Sequence, residues 1–300
     1  MKTFRSPAFI SAAFVLLAAS LCVVPATSQK LTPADVVAKH ALSIGSAEAR
    51  ARAKGTRIKG TVELIAKEGG AGTSAGNVVM ASHGSQNMVN MMFDAGEPST
   101  SFRFDGSKTT VTQFRPGRHT PLEHFFAENQ EIVREGLVGG VLSESWPLLN
   151  LQEKNPKLEY AGMKKIDDKQ LHAIKYTPRK GSELKITLFF DSETFQHVRT
   201  EYERTVYSTA QQRIASGGGG LPAATDARSA PQRLKVFEAF SDFKLEGGLN
   251  LPHVYKFELS VQSDRRPLLI NWTFNLTEFT FNAPVDPSEF IVGNEAPKPN

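Results

Sequence analysis

The chain has a single cysteine in 300 residues. That excludes a disulfide scaffold and any cysteine-ligated zinc or iron–sulfur centre. Tryptophan and tyrosine are scarce, 2 and 5 against 20 phenylalanines, so the aromatic content is mostly plain apolar ring. No block of like charge occurs: 35 Lys and Arg stand against 31 Asp and Glu, a net +4 spread along the chain. Nucleic-acid binding, which usually needs a clustered basic face, is therefore not expected. Beyond the N-terminal region no apolar run reaches the ~20 residues of a bilayer-spanning helix. What remains is globular composition, 40% hydrophobic and 22% charged, enough for one large domain or two small ones.

The usual motifs of catalysis are missing as well. None of the histidines stands in an H-E-x-x-H arrangement. His119 and His124, beside Glu123, would face different sides of a helix and lack a third ligand. There is no Gly-x-Ser-x-Gly elbow and no dinucleotide fingerprint. The glycine run Gly217–Gly220 is followed by no Lys-Ser or Lys-Thr, so it is no phosphate cradle. The carboxylate pairs Asp167-Asp168 and Asp191/Glu193 fall at turns between strands, where solvation and turn formation account for them. The chain is read as a non-enzyme without cofactor or metal. Asn271-Trp272-Thr273 and Asn275-Leu276-Thr277 match the glycosylation acceptor pattern, but they sit inside a strand, and no glycan is expected.

The N-terminus carries the first positive signal. Lys2 and Arg5 precede an apolar run from Ala8 to Val24, followed by Pro25, Ala26, Thr27, Ser28 and Gln29. A basic start, an apolar stretch and small residues are the layout of a secretory signal peptide, assigned to residues 1–28. Cys22 raises a lipoprotein signal, but Leu21 stands before it where a small residue is usual. Cleavage would take two positive charges from the total and remove the only cysteine. The mature protein is expected to be soluble in a periplasm-like or extracellular space.

Thr32-Pro33-Ala34-Asp35 reads as a capped helix start, and Val36, Val37, His40, Ala41 and Ile44 recur at helical spacing. A second short helix follows from Ser46. From Arg57 the period changes to two: Ile58, Gly60, Val62, Leu64 and Ala66 alternate with polar residues. Strand-like runs separated by turn signals continue to Phe114, and again from Lys157 to Tyr207 and from Leu234 to Asn282. About eleven strands are expected in total. The stretch from Pro121 to about Glu135 is helical. The apolar, glycine-punctuated segment Gly136–Leu149 is a flap or a loop packed into the core, and Ser208–Pro231 reads as a mobile loop. The fold class is α+β: one strongly curved antiparallel sheet, an open half-barrel, with helices on its concave side. It forms a single domain over residues 29–296, with a disordered tail at 297–300.

A curved sheet must cover its concave face, with helices or with a ligand. Val62, Leu64, Met91, Phe93, Phe102, Phe104, Ile186, Leu188, Phe190 and Trp272 are the candidate hydrophobic ligand-binding residues. Within each strand they share parity and so one face, although parity does not tell concave from convex. Met80, Met88, Met91 and Met92 fall in two neighbouring strands. Flexible, polarisable side chains of this kind suit a surface that accepts varied apolar shapes, or fill a core.

Several segments together resemble the outer-membrane lipoprotein-sorting superfamily of bacterial periplasmic proteins. They are Ala34 to Gly45 with Lys59-Gly60-Thr61-Val62, Phe240-Ser241-Asp242-Phe243 with Gly247 to Pro252, and Phe279 to Asn282 with Asp286 to Phe290. The resemblance implies a half-barrel around an apolar cavity and a periplasmic location. It also implies a lipid or lipoprotein acyl chain as ligand, and a membrane-associated protein as a possible partner. The alternative is a cell-envelope sensor or interaction domain whose cavity is filled by its own side chains. The matching positions are turns and helix starts, so the resemblance transfers no functional residue.

N-terminal sequencing of the exported protein is expected to start at Gln29 or Thr27, because the apolar run ends in small residues there. A mature chain starting at a lipid-modified Cys22 would overturn that assignment.

Overall fold

Helix α1, Pro33–Ile44, begins as its sequence predicts. The Thr32 hydroxyl accepts from the Asp35 amide at 3.2 Å and the Asp35 carboxylate accepts from the Thr32 amide at 2.9 Å, satisfying two otherwise unpaired donors. The computed structural model describes residues 31–68, 72–94, 99–112, 119–206, 232–262 and 267–291. They belong to a compact unit that begins at Leu31. The predicted signal segment 1–28, the loop 208–231 and the tail 297–300 lie outside the described residues.

Among the described residues, twelve antiparallel strands form one open sheet. The first arm comprises β1 Thr56–Glu68, β2 Gly72–His83, β3 Gln86–Phe93, β4 Thr100–Phe104 and β5 Thr109–Val111. The second comprises β6 Lys157–Ile166, β7 Lys169–Thr177, β8 Lys185–Asp191, β9 His197–Val206, β10 Gln232–Glu246, β11 Leu249–Gln262 and β12 Leu268–Thr280. Each arm is a meander of sequential neighbours, and the arms join where β1 pairs with β12. The free edges are therefore β5 and β6, and the chain must travel from one to the other. It does so through α3 Pro121–Glu128 and α4 Glu131–Glu135, then two 3-10 turns at Gly140–Leu142 and Pro147–Leu149, and α5 Leu151–Lys154. The remaining helix, α2, is Ala47–Arg52. The stretch expected as one helix over 121–135 is broken at Asn129, whose side chain donates to the Phe125 carbonyl at 2.7 Å.

Register explains which face is inside. Leu64 pairs with Trp272, Trp272 with Phe257, Phe257 with Glu238, Glu238 with Thr200, Thr200 with Leu188, Leu188 with Ile174 and Ile174 with Tyr160. Directly opposed residues share a face, so this row crosses the sheet from β1 to β6 on one side. On that side α1 and the 121–149 segment bury Val36, Ile44, Leu122, Phe125, Phe126, Ile132, Leu137, Leu142, Trp146 and Leu148 in one cluster with the strands. The helices thus lie on the inner face of an open half-barrel, as expected. On the outer face a closing 3-10 turn at Pro287–Phe290 caps a small cluster in which Phe290 packs with Ala81 and Met88.

The sheet is intolerant where β1 approaches β12 most closely. A Cβ at Gly60 would collide with the backbone carbonyl oxygen of Asn275, beside a register shift. Gly60→Ala is expected to cost about 1–3 kcal/mol through overpacking, measured from the midpoint of urea unfolding. An unchanged midpoint would show that the two strands yield freely there.

Candidate functional site

The candidate residues come together on the inner face. Val62, Met91, Phe102, Phe104, Ile186, Leu188, Phe190 and Trp272 are buried in the main core cluster, and Leu64 and Phe93 are half-buried against it. Their neighbours are the chain's own covering elements. Phe102 packs on Phe126 of α3 with ring centroids 4.3 Å apart, and Phe190 on His40 of α1 at 4.9 Å. The methionines divide between faces: Met80 and Met91 point inward, Met88 packs outward against Phe290, and Met92 and Met163 are exposed.

The segment 136–149 packs into the core. From Gly136 to Leu148 only Glu144 is not fully buried. Its glycines allow this. Gly139 and Gly140 both have positive φ, and an added Cβ would meet the Met80 methyl at 2.6 Å and His197 Nδ1 at 2.8 Å, respectively. Backbone, with no side chain, therefore lies directly against the sheet. The preceding helices are pinned by polar contacts to the strands: Thr100 Oγ1 donates to Glu123 at 3.0 Å, Asn87 to the Val133 carbonyl at 3.0 Å and Tyr176 to Glu135 at 3.3 Å.

Among the polar clusters within this apolar interior, two centre on Glu238 and on His40. In the first, Glu238 of β10 is fully buried and accepts from the Gly139 amide at 2.9 Å, from Tyr202 at 2.8 Å, and from Tyr255. Burial pushes its carboxyl up to about 7, against the opposing effect of those three donors. Burial, and then the Glu238 charge, raise both tyrosines well above their ordinary range. In the second, Trp146 Nε1 donates to His40 Nε2 at 3.1 Å, and His40 Nδ1 lies 3.0 Å from the Phe195 carbonyl oxygen. The pattern requires neutral His40 with its proton on Nδ1, and burial lowers its pKa to about 4. His197 stacks on Trp146 at 4.7 Å and is held well below the usual imidazole value, by burial and then by His40.

At one end of the half-barrel a cavity of about 300 Å³ opens between α1, α2, the 141–150 segment and β11. Its apolar lining includes Ile44, Val141, Leu142, Leu148, Leu249 and Leu251, all members of the main core cluster. Arg50, Lys54 and Glu144 also line it, the last two paired at 3.3 Å. None of the candidate residues lines this cavity. His119 and His124 take separate partners, the Thr112 carbonyl at 3.1 Å and Glu128 at 3.3 Å. Among the described residues no group of three or more His, Cys, Asp or Glu is placed to hold a metal ion, and no helix is long and apolar enough to cross a membrane.

Sequence reasoning missed Glu238, Tyr202, Tyr255, Trp146 and the His40–His197 contact. One signal was present: in Leu234-Lys235-Val236-Phe237-Glu238-Ala239-Phe240, Glu238 has the inward parity of Leu234, Val236 and Phe240.

No protein-family model matches the sequence, and no curated protein matches it. Solved structures do. A LolA superfamily protein of Nitrosomonas europaea aligns over 86% of this chain and 97% of its own, at 11% identity and a TM-score of 0.45. A putative outer membrane lipoprotein-sorting protein domain from Vibrio parahaemolyticus aligns over 81% and 93%, at 12% identity and 0.41. A DUF1329 family protein from Desulfovibrio piger aligns over 85% and 95%, at 9% and 0.40. The superfamily that the sequence resembles is thus represented among them. The likeness concerns the fold alone.

The buried ionisable groups predict a pH signature. Glu238 is raised above its ordinary 4.5 to about 7, so the stability it confers is complete below 4.5 and lost as pH rises through about 7. His40 acts oppositely: its contribution is present above 6.5 and lost as pH falls through about 4. Comparison with Glu238→Gln isolates the first effect. The stability of the wild type relative to the variant is expected to fall by on the order of 3 kcal/mol between about pH 5 and about pH 8. A flat difference would mean that Glu238 is solvated in the folded protein.

Proposed function

We propose that this protein is an exported, periplasmic binding module that holds an apolar chain, from a lipid or a lipid-anchored protein, against the inner face of its half-barrel. The observation that carries the reading is the cavity at the mouth. Its apolar lining is the half-barrel's core itself, through Ile44, Leu249 and Leu251, so a chain seated there continues the inner face rather than resting on the surface. Each methylene withdrawn from water contributes ~0.8 kcal/mol, and the binding needs no catalytic group. Val62, Leu64, Met91, Phe93, Phe102, Phe104, Ile186, Leu188, Phe190 and Trp272 form the deeper face that a longer chain meets once the covering segment yields. Handing the chain on requires a second, membrane-associated acceptor protein.

A second reading has its own observation. The 136–149 segment fills the half-barrel with Leu137, Val138, Val141, Leu142 and Trp146, which suits a sensor or interaction domain of the cell envelope without a transported ligand.

Extraction of the purified protein with organic solvent, followed by mass spectrometry, separates the two. The first reading expects an amphiphile in near-stoichiometric amount. It also expects Ala41→Trp, at a partly exposed position lining the cavity, to reduce that amount about tenfold while the melting temperature stays within a few degrees. Empty extracts, together with no uptake of added fatty acid, would leave the filled-core reading standing.

A further inference from the structure

Glu238 is a carboxylate in the wrong place for a core. Its row across the sheet otherwise holds Leu64, Trp272, Phe257, Thr200, Leu188, Ile174 and Tyr160, and it is 0% exposed. An apolar residue would fill such a position at lower cost. Here the carboxylate is instead surrounded by donors. Tyr202 and Tyr255 are its diagonal neighbours on the flanking strands, each opposite a residue two positions from it on β10. They supply two hydrogen bonds from the sheet. The third donor comes from a different source: the backbone amide of Gly139, at 2.9 Å, in a segment that crosses the half-barrel.

That segment has the chemical form of a ligand. Leu137 and Val138 precede the amide, Val141 and Leu142 follow it, and all four are buried in the main core cluster. To the sheet it presents an apolar chain interrupted by an N–H. Gly136, Gly139 and Gly140 have positive φ, so the backbone here has the freedom to turn. Val141 and Leu142 also line the mouth cavity, so an incoming chain meets this segment first.

We propose that Glu238, Tyr202 and Tyr255 form a binding station for the amide N–H of an apolar-chain amide, and that Gly139 occupies it here as an internal stand-in. The proposal rests on the apolar-chain reading given above. An occupant that displaces Gly139 without supplying an N–H strips a buried carboxyl of one donor, whereas an amide replaces the lost bond. The ligand class is therefore an N-acyl amine or N-acyl peptide rather than an ester or a plain hydrocarbon. Among the described residues the titratable groups that act on Glu238 are the two tyrosines, and next to Tyr202 comes Tyr176 of β7, which is itself bonded to Glu135 of α4. A carboxyl oxygen accepts an N–H whether or not the carboxyl is protonated, so a neutral amide suits the site in either state.

A matched pair of probes tests this: N-ethyloctanamide and ethyl octanoate, which differ only by N–H against O. Calorimetric titration of the full mature chain is expected to give about tenfold tighter binding of the amide. Hydrogen exchange at the Gly139 amide should accelerate when it binds. The triple variant Y202F/E238M/Y255F removes the carboxyl and both tyrosine hydroxyls together, so that of the station's groups the Gly139 amide alone loses its partner, and it should bind both probes equally. Equal binding of the two probes to the wild type would overturn the station while leaving the apolar-chain reading intact. Binding of neither would overturn both. A preference for the amide that survives in the triple variant would overturn the station. So would Gly139 protection that is unchanged in the amide-bound wild type, a readout that does not depend on the variant folding.

Discussion

An open twelve-stranded sheet with one apolar face cannot exist uncovered in water. This constraint organises the rest of the molecule. A closed barrel would bury its inner face against itself, but here β5 and β6 are free edges and never meet. The chain has to pass from one edge to the other, and it uses that passage to lay α3, α4 and the glycine-punctuated segment across the inner face. The connection and the cover are the same piece of chain. Helix α1, which precedes the sheet, completes the cover with Val36, Val37, His40 and Ile44.

Covering a face with a connecting segment leaves backbone groups in an apolar interior, and these must be paired. The protein meets that need with polar side chains on the strands, Asn87 for the Val133 carbonyl and Glu238 for the Gly139 amide, while Thr100 pairs the buried Glu123 carboxylate of α3. Trp146 is fixed in the same way by neutral His40. Such contacts define one position for the cover among many that apolar packing alone would allow, because a shifted segment would leave buried partners unsatisfied.

The cavity forms at the end where the covering segment meets α1 and α2. Its lining is continuous with the core, and the segment that closes the half-barrel is also its wall. A protein arranged in this way offers apolar surface to a partner molecule while keeping most of its inner face dry. Chain binding at the mouth and retention of the covering segment are then opposing uses of the same surface, so the two functional readings differ in how readily the segment yields.

Much of this architecture is legible in residue order. Thr32 to Asp35 specifies a capped helix. The period-two runs specify strands, and the shared parity of Met91 with Phe93, of Phe102 with Phe104 and of Ile186 with Leu188 specifies one face of each strand, because a strand's alternation is local and needs no distant contact. Local pattern also marks Gly136–Leu149 as apolar and irregular, yet it leaves a choice between a flap and a core-packed loop. Only the tertiary structure decided that this segment fills the half-barrel, that Gly139 meets Glu238 and that Trp146 meets His40. These partners lie far apart in the chain, and nothing in a sequence window encodes which distant backbone amide a buried carboxyl will find. The location of the cavity was decided in the same way. Its walls come from α1, α2, the crossing segment and β11, and a void is a property of how such surfaces fail to meet rather than of any one of them.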